Sequence, residues 1–256
     1  MTKKVIAFDL DDTLAVTKSP ISDRMGEILV KLLEHYDICI ISGGKFEQFR
    51  KQVVDRLEAP VHKLNRLHLM PTCGTRYYRY DELKNEWKIQ YAEDLSEAEK
   101  KNIIAVTEQA ARGEGLWPDN PYGEVIEDRG SQISISFLGQ QAPAEEKYAW
   151  AAKHGEDRLK VRSAIAEQIP DFEVRAGGST TIDITRLGID KAYGMQKLCE
   201  AIDISKEEIL FVGDKLDEGG NDYPVKAMGI DTVAVERWED TILVLEGVLG
   251  VTDTDD

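Results

Sequence analysis

Three aspartates crowd the end of an apolar run in VIAFDLDDTL, Val5 to Leu14. Four apolar residues predict a buried strand, and Asp9, Asp11 and Asp12 at its end must repel one another unless something positive lies among them. Polar groups recur in equivalent places. Ser42 closes ICIIS, Lys191 stands before a helix in GIDK, Asp214 closes EILFVGD, and Asn221 and Asp222 follow in GGND. In open parallel sheets the reactive residues sit at the carboxyl ends of strands, and the two-residue strand period sends Asp9 and Asp11 toward the same side. Clustered carboxylates suit a hard divalent cation, and Mg²⁺ takes oxygen ligands with few from protein. Asp9 and Asp214 are therefore expected to share Mg²⁺. With Lys191 and the Ser42 hydroxyl they would cradle a phosphoryl group, whose transfer depends mainly on positioning and charge stabilisation. A carboxylate there can also serve as nucleophile.

The elements that must hold these groups follow an α/β rhythm. After VIAF comes SDRMGEILVKLLEHY, where Ser22 can cap and Met25, Ile28, Leu29, Leu32, Leu33 and Tyr36 fall at helical spacing. DICIIS predicts a second strand. FEQFRKQVVDRL predicts a helix with Phe46, Phe49, Val53 and Leu57 on one stripe. Short connections between such elements mean a parallel sheet. From residue 84 the texture changes: a helix opened by the capping box Ser96 and Glu99, a hairpin around Arg129 and Gly130, a long polar helix, then two strands in FEVRAGGSTTIDITR. The rhythm returns near Gly188. The expected fold is a Rossmann-like, doubly wound parallel core over residues 1–83 and 188–256, interrupted by an α+β cap over 84–187, with a frayed tail at 252–256.

Lys plus Arg is 32 against 48 for Asp plus Glu in 256 residues, a formal charge of −16. So acidic a surface repels nucleic acid and anionic membranes, and no apolar run reaches the roughly 18 residues of a membrane span. A soluble, cytoplasmic protein is expected, acting on a small phosphorylated molecule and needing neither nucleic acid nor membrane. Cys39, Cys73 and Cys199 show no zinc spacing and no even disulfide set, so they read as reduced core thiols. His35, His62, His68 and His154 lack metal spacing and read as surface or packing residues.

DLDDTL, ISGG, DK and GDKLDEGGND resemble, in order and separation, the four motifs of the haloacid dehalogenase-like phosphotransferases. The resemblance implies Asp9 as nucleophile and Asp11 as general acid and base. It implies Mg²⁺ on the Asp9 carboxylate, the Asp11 backbone carbonyl and Asp214, with Asn221 and Asp222 in or beside the metal shell. Gly43 and Gly44, after Ser42, would then line the phosphate site. Asp12 stands where that superfamily most often has glycine. GGKFEQF, VIEDRG, AGGSTTIDI, GIDKAYGM and GDKLDEGGNDY further resemble segments of the eukaryotic-type phosphomannomutases. That likeness implies that Arg129, Thr181 and Asp183 meet a sugar phosphate from the cap, and that the chain is a monomer or pairs as a homodimer through the cap. Gln140 and Tyr122, however, occupy positions where that family has arginine, which weakens a clamp on a second phosphate.

The sequence-level expectation is thus a Mg²⁺-dependent phosphatase of a small phosphomonoester working through an aspartyl phosphate. The alternatives are a phosphomannomutase and a non-catalytic sugar-phosphate-binding protein. Simpler roles stand beside several residues. Ser42 can cap its own turn, Asn221 and Asp222 can cap the next helix, Arg129 can be a solvated hairpin residue, and Thr181 and Asp183 can lie on an exposed strand face.

Overall fold

The computed structural model describes residues 2–252. The chain forms two compact units, one of Met1–Ala92 with Asp190–Asp256 and one of Glu93–Ile189. The tail expected to fray lies, from residue 253, outside the described residues.

The first unit opens with β1 (Val5–Phe8), α1 (Asp23–His35), β2 (Asp37–Ile41), α2 (Phe46–Gln52), α3 (Val61–Leu64), β3 (Leu67–Met70), β4 (Arg76–Asp81) and β5 (Glu86–Ala92). The second contains α4 (Glu97–Gly113), β6 (Ile126–Asp128), β7 (Ile133–Ser136), α5 (Ala144–Gln168), β8 (Phe172–Ala176) and β9 (Thr181–Arg186). The chain then completes the first unit with α6 (Lys191–Ile202), β10 (Ile209–Gly213), α7 (Tyr223–Ala227), β11 (Asp231–Ala234) and α8 (Trp238–Thr252).

The first unit's sheet has the order β11-β10-β1-β2-β3-β4-β5. β1 pairs in parallel with β2 on one side and β10 on the other, Phe8 lying opposite both Ile40 and Val212. The strand order reverses at β1 and β10, where α/β sheets open a crevice at their carboxyl edge. Both faces are covered, so β1 needs an unbroken apolar run. Ile6 and Phe8 pack with Met25, Leu29 and Leu32 of α1 and Leu245 of α8, whereas Val5 and Ala7 pack with Met195 and Leu198 of α6. Ser22 caps α1 through the Met25 N–H, as its position predicts. The expected long helix after GGK instead stops at Gln52, and Val54–Arg56 tightens into a 3₁₀ turn.

The parallel sheet is extended by an antiparallel hairpin, β4 with β5. The change of texture at residue 84 falls in the turn of this hairpin, while the sheet itself runs on to Ala92. Sequence reading missed these two strands because their alternation is written in Tyr, Trp and charged residues, with little aliphatic signal.

In the second unit an antiparallel sheet, β6-β7-β9-β8, backs onto α4 and α5. Ile133, Ile135, Ile182 and Ile184 pack against Ile103, Val161 and Ile165. The alternate residues Ser134, Ser136, Thr181 and Asp183 share the opposite face, Ser134 opposite Asp183 and Ser136 opposite Thr181. Ser96 and Glu99 form the expected capping box on α4. Trp117 is a packing residue, with the Arg112 guanidinium 4.4 Å from its ring centroid.

His68, on β3, is wholly buried. Its Nε2 lies 3.3 Å from Asp37 Oδ2 and its Nδ1 2.6 Å from the Tyr77 hydroxyl. These partners assign the proton to Nε2, with Tyr77 donating to Nδ1. Burial holds the imidazole below its ordinary value of 6.5, outweighing the Asp37 contact, while Arg79 and Arg66 add to the depression. The unfolded chain therefore takes up a proton that the folded one refuses. Stability is expected to fall as pH drops below 6.5. Urea titrations at several values between 6.5 and about 5 check this, the slope flattening in His68→Gln.

Candidate active site

Asp9 leaves the carboxyl end of β1, and Asp214 the end of β10 next to it. Lys191 is the first residue of α6, held there by Asp190, whose carboxylate accepts the Tyr193 N–H at 2.9 Å. The Lys191 ammonium donates to Asp9 Oδ1 and to Asp222 Oδ1, each at 2.5 Å. Lys191 is 1% exposed and Asp222 fully buried. The second oxygen of Asp222 accepts the backbone N–H of Lys215 at 3.0 Å. Asp222 also packs over Gly213, where a Cβ would come within 2.6 Å of Oδ2. Asp222 thus begins α7 without a side-chain capping bond; its carboxylate turns into the site instead.

The carboxylates of Asp9, Asp214 and Asp222 offer one oxygen each within 4.8 Å of one another. Two ammonium groups face these three charges, since Lys215 Nζ donates to Asp214 Oδ2 at 2.8 Å. Burial pushes Asp9 upward; Lys191 opposes this and Asp222 and Asp214 reinforce it. Burial alone would lower Lys191, but Asp222 and Asp9 overcome it and keep the ammonium charged. With all three carboxylates ionised, one negative charge is left over. The buried Asn221 Oδ1, beside Asp222, has no hydrogen-bond partner among the described residues. Three convergent carboxylate oxygens are donors of the kind Mg²⁺ takes, so Asp9, Asp214 and Asp222 fit a divalent cation.

Asp11 does not join this group. β1 ends at Phe8, so strand periodicity no longer governs the residues beyond it. The Asp11 carboxylate instead accepts the Lys18 backbone N–H at 2.7 Å and the side-chain amides of Gln48 at 3.0 Å and Gln52 at 3.2 Å. Asp12 shapes the loop: its φ of 67° is left-handed, which accounts for the glycine common at this place, and its carboxylate accepts the Thr17 N–H at 3.0 Å. Ser42 Oγ accepts the Gly44 N–H at 3.3 Å, leaving its own proton available to a ligand. Gly44 lies under Gln48, whose amide oxygen a Cβ would overlap. The Gly43–Gly44 turn is tied to the loop after β3 by the Thr72 N–H on the Gly44 carbonyl at 3.0 Å. Sequence reading missed Gln48 and Gln52; the available signal was two amides four residues apart on the helix that follows ISGG.

The second unit holds the other expected residues. Arg129 is 7% exposed and is no solvated turn residue. Its Nε donates to Glu127 at 2.8 Å, and its Nη1 lies 3.8 Å from Asp183. Asp183 accepts from Ser134 at 2.5 Å. Thr181 is buried on the same sheet face, which is therefore not the exposed face that a simpler reading allowed. Gln140 Oε1 accepts from Arg129 at 3.5 Å, and the exposed Tyr122 hydroxyl donates to Glu146 at 2.8 Å.

Residues 6–225 match the family of haloacid dehalogenase-like hydrolases. The chain belongs to that family. Among curated relatives it is 25% identical to a probable phosphomannomutase of Caenorhabditis elegans, covering 98% of each chain. It is 28% identical to the phosphomannomutase of Saccharomyces cerevisiae over 86% of this chain and 84% of that one. Among solved structures, the IMP-nucleotidase of Plasmodium falciparum superposes with a TM-score of 0.69 at 15% identity, over 97% of this chain and 68% of that one. A haloacid dehalogenase-like hydrolase from Bacteroides thetaiotaomicron gives 0.63 at 17%, over 96% and 100%. These two likenesses speak for the fold. The chain is an enzyme of the phosphatase and phosphotransferase type, and no helix among its described residues is long and apolar enough to cross a membrane.

Removing Lys191 would leave two buried carboxylates without their shared counter-charge. Lys191→Met is expected to destabilise the protein by about 3–5 kcal/mol. Urea denaturation checks this, and millimolar Mg²⁺ should recover part of the loss if the carboxylates bind it.

Proposed function

We propose that this hydrolase is a phosphatase of a small sugar phosphate, working through a phosphorylated aspartate. The observation that carries the proposal is the bridge of Lys191 between Asp9 and Asp222, with Asp214 in reach of both carboxylates. In this reading Asp9 attacks phosphorus while Lys191 offsets the charge of the phosphoryl oxygens and the Ser42 hydroxyl and the Gly43–Gly44 turn hold one of them. Asp11 protonates the leaving oxygen and then takes a proton from the water that releases phosphate. Mg²⁺ held by Asp9, Asp214 and Asp222, with Asn221 and the Asp11 carbonyl in support, would supply the remaining positive charge. Arg129, Thr181 and Asp183 are proposed to bind the sugar.

Hydrolysis is preferred to mutase action because of the charge in the second unit. A mutase must grip a second phosphate. Here the Arg129 guanidinium faces both Glu127 and Asp183, while Gln140 and Tyr122 are neutral. Arg158 is occupied by the carbonyls of Gly178 and Ser179, and Arg162 by that of Val174. The phosphomannomutase reading retains support from the relatives of that name, which match over nearly the whole chain.

Phosphorus NMR with Mg²⁺ and mannose 1-phosphate separates the two. Inorganic phosphate should grow with or without a trace of glucose 1,6-bisphosphate; mannose 6-phosphate appearing only with the bisphosphate would establish the mutase. Asp9→Asn should lower phosphate release by more than about 10³-fold in the same assay, and undiminished release would remove Asp9 as nucleophile.

A further inference from the structure

Asp11 is the carboxylate that the proposed reaction needs and that the trio of Asp9, Asp214 and Asp222 does not contain. Its two oxygens receive three N–H donors, Lys18 and Gln52 on Oδ1 and Gln48 on Oδ2. Gln48 and Gln52 stand one turn apart on one face of α2. Neither amide is loosely placed. Gln52 is 2% exposed, and its side-chain N–H group also reaches the Ser19 carbonyl at 2.9 Å, while its own oxygen has no partner. A flipped amide would set that oxygen against the Ser19 carbonyl, which can only accept, and against Asp11 whenever it is ionised. The donor orientation is therefore obligatory, and it is kept although it leaves a buried oxygen unbonded. Gln48 has a matching device, the bare Cα of Gly44 over which its amide lies.

We infer that Gln48 and Gln52 are positioning residues for Asp11, fixing its carboxylate for both proton transfers of the reaction. The inference rests on the phosphatase reading above. In the first step an Asp9 oxygen bonds to phosphorus, the bond from phosphorus to the leaving oxygen breaks, and the proton of Asp11 passes to that oxygen. In the second, water bonds to phosphorus, its proton passes to Asp11, and the bond to Asp9 breaks to free phosphate. A loosened Asp11 slows the first step only where the leaving oxygen needs a proton, but slows the second for every substrate.

The test uses Gln48→Met and Gln52→Met in the full chain with Mg²⁺, which keep side-chain bulk and remove the donors; folding is checked by thermal melting. With mannose 6-phosphate, kcat should fall about 10- to 100-fold with KM moving less than about threefold. With p-nitrophenyl phosphate, whose leaving group needs no proton, the variants should give a burst of one nitrophenolate per enzyme followed by slow turnover. Acid-quenched protein should then carry one added phosphoryl group by intact mass. Equal slowing of both esters with no phosphorylated protein, or unchanged kcat on both, would overturn the inference and leave the glutamines as ties between α2 and the aspartate loop. If the wild-type enzyme releases phosphate from neither ester, the phosphatase reading fails first and takes the inference with it.

Discussion

A single buried ammonium organises the first unit. Lys191 bonds Asp9 from the first strand and Asp222 from the start of α7, so three segments far apart in sequence meet at one nitrogen. Burying any of these charges alone would be prohibitive. The lysine makes two of them tolerable, and Lys215 does the same for Asp214 at the rim. With Asp9 ionised, what remains is one unit of negative charge. That residue matters chemically: a site already neutral would have little call for a divalent cation, and one with three bare carboxylates would repel a phosphate dianion. A carboxylate cluster one charge short of balance is suited to a cation first and an anion after it.

The sheet makes this meeting possible. Because β1 lies between β2 and β10, the residues just past its carboxyl end look onto both neighbours. Side chains with no sequence relation to Asp9 thus converge on it at the reversal of strand order. Asp222 gets its orientation from a missing side chain, since its carboxylate occupies the space where residue 213 would carry a Cβ.

Much of this was legible in the sequence. The strand-and-helix alternation, the caps at Ser22 and Ser96, and the polar residues closing VIAF and EILFVGD are local signals, and local signals read locally. What could not be read depends on distant partners. The Asp11 carboxylate faces α2 because amides some forty positions later claim it, against the strand rule that would place it beside Asp9. Arg129 looks like a surface turn residue until the hairpin folds Glu127 and the neighbouring Asp183 around its guanidinium. The β4–β5 hairpin went unseen because a sheet edge need not be aliphatic. The helix after GGK stopped at Gln52, although its apolar stripe continues to Leu57, because the stripe is satisfied by a 3₁₀ turn as well as by a helix.

Arg186, at the end of β9, donates to the carbonyls of Glu93 and Asp94 and to the Glu99 carboxylate. The second unit therefore holds the segment by which the chain enters it against the segment by which the chain leaves. To the rest of the polypeptide a folded insertion of this kind is a short link, whatever its length in residues. Joining β1 to β10 would otherwise require closing a loop of some two hundred residues, at an entropic cost that grows with loop length. If the insertion folds first, nearly half of that loop is already closed when the parallel sheet assembles. The two halves of the first unit can then find each other almost as neighbours in sequence.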